Sequence, residues 1–419
     1  MNPSNLHVSR DGGHVRVSGD LLLDSFRRVL AAIHHATQRG FTEVTLDLSA
    51  TTLAFPGPML AVLAACIRLH DESDADVSLV RPTDGSLRRL FANANWAHLA
   101  APQRFAQSAW HPASVLPASR FRSPDEQREI VDRILDAVLS SPAKLARSNL
   151  AVFEWAVNEI TDNVLQHADS AQGGLVQLSH YPNTQRLEFA VADAGRGVPS
   201  SMRTTRSAIS DSHALELAVR RGITRDKEVG QGNGLFGTHR ASAVGSGDFV
   251  IHSGYASIQR DLEAREQTSP VAGTLVVVSL DYSDPGALWR ALDIQDTGAD
   301  PAGDYVENRY EAVTEDVLRF VVRKEAGSVG SRSSGKLART KLENLMAMYP
   351  SHAVNVDFDD ISVISSSFAD EFLGKLFVRL GALRFMSAIR LRRMSPEVRA
   401  VLDRAILQRA GQEGAGYGP

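Results

Sequence analysis

One cysteine, Cys66, is all that the 419 residues contain, so no disulfide can form within the chain. It lies inside the apolar run LAVLAACIRL, where a buried structural thiol is expected. Charge of one sign is equally scarce. Forty-five basic residues face forty-nine acidic ones, a net charge of -4, which offers no electrostatic case for nucleic acid or an anionic membrane surface. No uninterrupted apolar stretch is long enough to cross a bilayer, and the N-terminal MNPSNLHVSRDGG lacks the apolar core of a signal peptide. A cytoplasmic protein is the expectation. Its hydrophobic fraction of 43% and charged fraction of 22% are those of a globular chain, and its length predicts two or three domains.

The chain divides by pattern. Residues 1–105 alternate strands (HVRVSGDL, EVTLDLS) with helices (LDSFRRVLAAIHHATQRG, GPMLAVLAACIRLHDES). Residues 106–122, rich in Ala, Ser and Pro, read as a linker. A helix then starts sharply at SPDEQ, with Ser123 as cap, Pro124 in the first turn and Glu126 placed for a capping box. A second αβ unit covers 123–283, a second linker 284–305, a third αβ unit 306–412, and a disordered tail is expected from 413 to 419.

The most informative stretch is VNEITDNVLQHAD. On a helix Phe153, Ala156, Val157, Ile160, Val164 and Ala168 form one apolar face. Glu159, Asp162, Asn163 and Gln166 follow the same steps beside it, with Glu159 and Asn163 one turn apart. Alone this is the pattern of a solvated helix edge. It also suits a metal-phosphate site, since an amide oxygen is a hard ligand for Mg²⁺ and a carboxylate can polarise a hydroxyl. Two later segments bear on the choice. In LEFAVADAGRGVP a strand runs into Asp193, Gly195 and Gly197. There a carboxylate can accept from an exocyclic amine while the backbone closes on a flat ring. In GQGNGLFGTHRASAV, Gly230, Gly232, Gly234 and Gly237 lead into a helix, which is either a hinge or a phosphate cradle.

In order and spacing, residues 124–283 resemble the GHKL ATPase superfamily of sensor histidine kinases, anti-sigma-factor serine kinases, gyrase-type ATPases, Hsp90 and MutL. The resemblance implies a central α/β (α+β) sandwich with a mixed sheet that binds ATP and Mg²⁺. It implies Asn163 as the metal ligand and Glu159 as general base. Asp193 would hold the adenine amine, flanked by Gly195 and Gly197, with Thr274 supporting that end. Gly230, Gly232 and Gly234 would meet the phosphates, and residues 210–234 would form a mobile lid. The finer resemblance is to the anti-sigma-factor serine kinases, which share the Glu before the Asn and a His four residues after it, here His167. The adjacent histidines of AAIHHATQRG do not fit a histidine-kinase phosphoacceptor and suit a helix surface.

The flanking units resemble STAS domains, the small αβ fold of anti-sigma-factor antagonists. Their phosphorylatable turn is replaced in the first unit by Phe55-Pro56-Gly57-Pro58, implying a docking or sensing module. The third unit keeps Ser365, Ser366 and Ser367, of which Ser366 and Ser367 are the phosphoacceptor candidates; a serine run before a helix is ordinarily a cap. GSRSSGKL, residues 330–337, has the spacing of a phosphate loop but ends in Leu337 where Ser or Thr is required, so a loop leading into a helix is expected. The whole then reads as a signalling ATPase or serine kinase with ATP and protein partners, and family behaviour implies a homodimer. The alternative is a non-catalytic, nucleotide-gated binding module or scaffold.

Overall fold

The computed structural model describes residues 5–72, 75–109, 115–206, 208–220, 234–292, 306, 309–310 and 317–414. Two of the glycines assigned to phosphate, Gly230 and Gly232, lie outside the described residues. The chain forms two compact units, residues 1–134 with 152–301 and residues 135–151 with 302–419.

In the first unit a four-stranded sheet has the order β1-β2-β3-β4 (His7–Asp11, His14–Leu21, Glu43–Ala54, Asp76–Val80). Its first pair is antiparallel and the next two are parallel. Between its strands run α1 (Phe26–Gln38) and α2 (Pro56–Glu72). The helix α2 is apolar nearly all round, and it buries every residue from Pro56 to Ala64 as well as Cys66 and Ile67. A helix with that composition needs partners on both sides. Its second partner is a five-stranded sheet of order β5-β6-β7-β9-β8 (Ser119–Phe121, Gly174–Tyr181, Arg186–Asp193, Ala264–Asp281, Asp248–Ile258), antiparallel at every pairing. One apolar core runs from Leu48 and Leu63 through to Ala190, Ala192 and Val277, joining the two sheets. The Pro-rich stretch 106–122 therefore ends in an edge strand, β5, paired with β6.

Strand alternation assigns the two faces of this second sheet. Ala190, Ala192, Leu275 and Val277 belong to the core shared with α1 and α2. Their neighbours at the other parity, Phe189 and Thr274 among them, look toward α6 (Arg147–His167) on the far side. Phe153 of α6 meets Phe189 edge-on at 5.9 Å between ring centroids. The apolar face expected for α6 is buried throughout, from Phe153 to Ala168. The preceding helix, α5 (Pro124–Leu139), starts on the expected cap: Glu126 donates its N–H to Ser123 Oγ at 3.2 Å, and its carboxylate accepts from Arg122 N at 2.7 Å.

The second unit carries a parallel sheet of order β10-β11-β12 (Val317–Val321, Ala353–Asp357, Ile389–Arg392). Ser331 caps the helix Arg332–Met348 by accepting from Ser334 N, so GSRSSGKL is a helix start, as expected. Inside this unit Lys341 and Glu325 are buried together. Lys341 Nζ donates to Asp136 at 2.7 Å, while Arg309 and Tyr310 each reach Glu325 at 2.9 Å. The final helix runs from Pro396 to Gly414, which corrects the expected tail at 413 and 414. Gln412 and Glu413 favour helix and extend a helix already nucleated.

The Phe55–Pro58 turn lies inside the first unit. A side chain at Gly57 would put its Cβ 2.6 Å from Val277 Cγ2, so the start of α2 sits directly on β9. We expect Gly57→Val to cost about 1–3 kcal/mol through overpacking. Urea unfolding should show a lower midpoint at an unchanged slope, and an unaltered midpoint would mean this face is not tightly packed.

Candidate functional site

The site is built where β7 ends. Because β7 alternates, Asp193 continues the parity of Phe189 and looks toward α6, and it pairs in register with Thr274 of β9. Asp193 is buried, and its Oδ1 accepts from Gly195 N at 2.8 Å. Burial pushes its pKa up to about 7, against the opposing effect of hydrogen bonds from the Gly195 and Thr274 backbones.

The turn that follows closes onto the end of α6. Arg196 N donates to Ala168 O at 2.8 Å, and Arg196 Nε donates to His167 O at 2.9 Å. These two bonds satisfy carbonyls at the end of the helix, where no further turn can do so. Approach is so close that a Cβ on Gly195 would lie 2.1 Å from Ala168 O. Gly197, with φ of +74°, starts the short helix α7 (Gly197–Arg203) against Ser253. Ser253 Oγ donates to Gly273 O at 2.7 Å, accepts from Val198 N at 2.9 Å and lies 3.3 Å from Thr274 Oγ1. Thus Asp193, Gly195 and Thr274 are bonded together, Gly197 packs closely on Ser253 and Gly273 beside them, and Arg196 ties the turn to the end of α6 at His167.

Asn163 and Glu159 sit one and two turns up the same helix, both half-buried. Desolvation raises the Glu159 pKa, the carboxylate of Asp162 raises it further, and a hydrogen bond from Trp155 opposes both. Asp162 is likewise raised by burial, partly offset by Gln127. The helix α9 (Gly234–Ser242) packs across this edge. A Cβ on Gly234 would fall 2.3 Å from Glu159 Oε2, and one on Gly237 would fall 2.4 Å from Trp155. Glycines one turn apart on α9 thus match Glu159 and Trp155 one turn apart on α6, and Gly234 lies against the carboxylate itself.

Arg196, Ser253 and Gly237's packing partner Trp155 are contributors that the sequence patterns did not single out. For Ser253 a signal existed. Gly254 interrupts a strand, the mark of a bulge, and the β8–β9 register does shift there. A separate cleft of about 290 Å³ is lined by Cys66, His70, Asn95, His98 and Arg133 among others, and contains none of the candidate site residues.

In the second unit, Ser365 accepts from Phe368 N and caps the helix that begins at Ser366. Ser365 Oγ also lies 3.1 Å from Ser367 Oγ, while Ser366 is exposed.

The Asp193 carboxyl holds its proton well above the pH at which it would ionise in the unfolded chain. Between pH about 4 and 7 the folded state therefore binds more protons, and stability falls as pH rises through that window. We expect Asp193→Asn to raise the unfolding temperature at pH 8 and to leave it nearly unchanged at pH 4. Equal stabilisation at both values would show that ionisation of Asp193 is not what the fold opposes.

Comparison with protein families matches residues 335–399 to a STAS-like domain of unknown function (DUF4325). Comparison with curated proteins and with solved structures returned no match. The matched segment spans β11, the helices after it and β12, so the C-terminal part of this mixed α/β chain carries a STAS-like domain.

Proposed function

We propose that the first unit binds Mg-ATP in the manner of the GHKL family and acts as a signalling ATPase or protein serine kinase. The observation that supports this most is Asp193, a buried carboxylate at a strand end whose own turn caps the helix of Glu159, Asn163 and His167. A carboxylate kept from water and fixed by backbone N–H groups suits an exocyclic amine, and its burial in an otherwise apolar layer has no packing advantage. Gly195 and Gly234, where side chains would collide with Ala168 O and Glu159, fit a site in which backbone must come close.

Among the described residues no three or more His, Cys, Asp and Glu side chains cluster for a metal. An ion held by Asn163 would complete its shell with phosphate oxygens and water, as Mg²⁺ ordinarily does. When bound it would neutralise charge on the phosphates. Glu159, with its pKa raised by burial and by Asp162, is poised as a general base. It would take the proton of a water or a protein hydroxyl as that oxygen attacks the γ-phosphorus and the bond to the ADP oxygen breaks. The N-terminal unit, STAS-like in pattern, and the STAS-like segment 335–399 would serve protein docking, with Ser366 and Ser367 as candidate acceptors. A nucleotide-gated binding module without turnover is the second reading; Gly234 at Glu159 supports it, since α9 there covers the base.

Incubation with γ-labelled ATP and Mg²⁺ separates these. Label on protein is expected for a kinase and free phosphate for an ATPase, whereas binding without either leaves the gate. Glu159→Ala should lower turnover at least 100-fold while Mg-ATP binding persists. Unchanged turnover would remove Glu159 from the chemistry, and no calorimetric heat with ATP or ADP would remove the proposal.

A further inference from the structure

We infer that Arg27 and Arg68, both on the N-terminal helices, are positioning residues for the purine end of the site, so that the N-terminal module completes the pocket. This rests on the nucleotide reading of Asp193. Arg27 projects from α1 and is buried at 5% exposure. A buried guanidinium ordinarily meets a carboxylate, yet its hydrogen bonds go to main-chain oxygens of the second sheet and to the ring of His252. Nη1 donates to Gly254 O at 2.9 Å and Ser269 O at 2.6 Å, and Nη2 donates to Ala256 O at 2.7 Å. Nε lies 3.3 Å from His252 Nδ1.

Gly254 and Ala256 flank the point where the β8–β9 register shifts. An irregular ladder leaves carbonyls without strand partners, and a planar fork of five donors is suited to gather them. The residue just before the bulge is Ser253, whose hydroxyl holds Gly273, Val198 and Thr274 together around Gly197. Fixing the bulge fixes that hydroxyl. His252 and Ser253 point to opposite faces, so Arg27 acts from behind the sheet on a group in front of it.

Arg68 makes the second contact. From α2 its Nη1 donates to Ala194 O at 2.8 Å, the middle residue of the Asp193-Ala194-Gly195 turn. Its Nε is meanwhile held by Glu72 at 2.7 Å, one turn along α2. One arginine therefore grips the turn that carries Asp193, and the other grips the bulge that carries the turn's support. A hydrophobic side chain at position 27 would fill the same layer with less desolvation, so packing alone does not account for an arginine there.

Hydrogen exchange at the Gly195 amide, which donates to Asp193, reads the turn directly in nucleotide-free full-length protein. Arg68→Ala, at a half-exposed side chain, should lower the melting temperature by no more than about 2–4 °C and speed Gly195 exchange about five- to tenfold, the effect of losing one hydrogen bond. Arg68→Lys should restore most of the protection. Arg27→Lys, which keeps the charge and loses the fork, should do the same to the Ser253 and Val198 amides. Mg-ATP affinity should fall by a similar factor in Arg68→Ala and recover in Arg68→Lys. Wild-type protection at Gly195 and Val198 in both variants would overturn the inference, as would an Arg68→Ala protein that binds Mg-ATP as tightly as wild type. Should exchange rise while the wild-type protein binds no Mg-ATP, the nucleotide proposal fails and the positioning role stands.

Discussion

The contact on which the site depends is Arg196 closing over the end of α6, with one bond from its backbone and one from its side chain. A helix exposes its last carbonyls wherever it stops, and something must satisfy them. Here the satisfying group is the turn that leaves β7, so the position of Asp193 and the end of the Glu159–His167 row are set by the same two bonds. Gly195 permits it, because any side chain would strike Ala168 O. Without that closure the strand-end carboxylate and the helix would be neighbours only by way of a flexible loop.

What surrounds this contact is mostly apolar, and the polar groups placed within it are costly. Asp193, Glu159 and Arg27 all have their pKa moved by burial in the direction that disfavours charge. His252, beside Arg27, is pushed down to about 3, first by burial and then by the guanidinium. These costs are carried by a core that joins two sheets through α1 and α2. A five-stranded sheet with an open face would have little to offset them; covered on both faces, it can hold buried charges as fixed dipoles and donors.

Much of this was legible in the residues. The apolar row from Phe153 to Ala168 predicted the buried face of α6, and Ser123 with Glu126 predicted where α5 begins. Residues 330–337, which carry a phosphate-loop spacing, form the start of a helix with Ser331 as its cap. The sharing of one core between the two sheets was not legible. It lives in contacts between distant residues, such as Gly57 with Val277, and no local period encodes it. α2 did carry a hint, being apolar on every side, which only a sandwiched helix can afford. Arg196 was hidden for a related reason: its bonds go to main-chain atoms, which leave almost no trace in residue type, and Ser253 showed only indirectly, through the strand-breaking Gly254 beside it. Strand β5 was masked by the Ala, Ser and Pro of its approach, since three edge residues are too few to show alternation.

The two flanking turns make the final distinction. In the N-terminal module Pro56, Gly57 and Pro58 are buried, with Gly57 against Val277, while Phe55 is exposed, and the helix they begin contributes Arg68 to the Asp193 turn. At the corresponding turn of the C-terminal unit, Ser366 is exposed at the start of its helix, with only Ser365 engaged as cap. Exposure of that kind is what an interaction or modification surface requires. The N-terminal helices bond to main-chain oxygens of the second sheet and of the Asp193 turn, while residues 335–399 keep an exposed Ser366 within a STAS-like domain. Similar local patterns therefore carry different physical duties, and the difference is decided by what covers them.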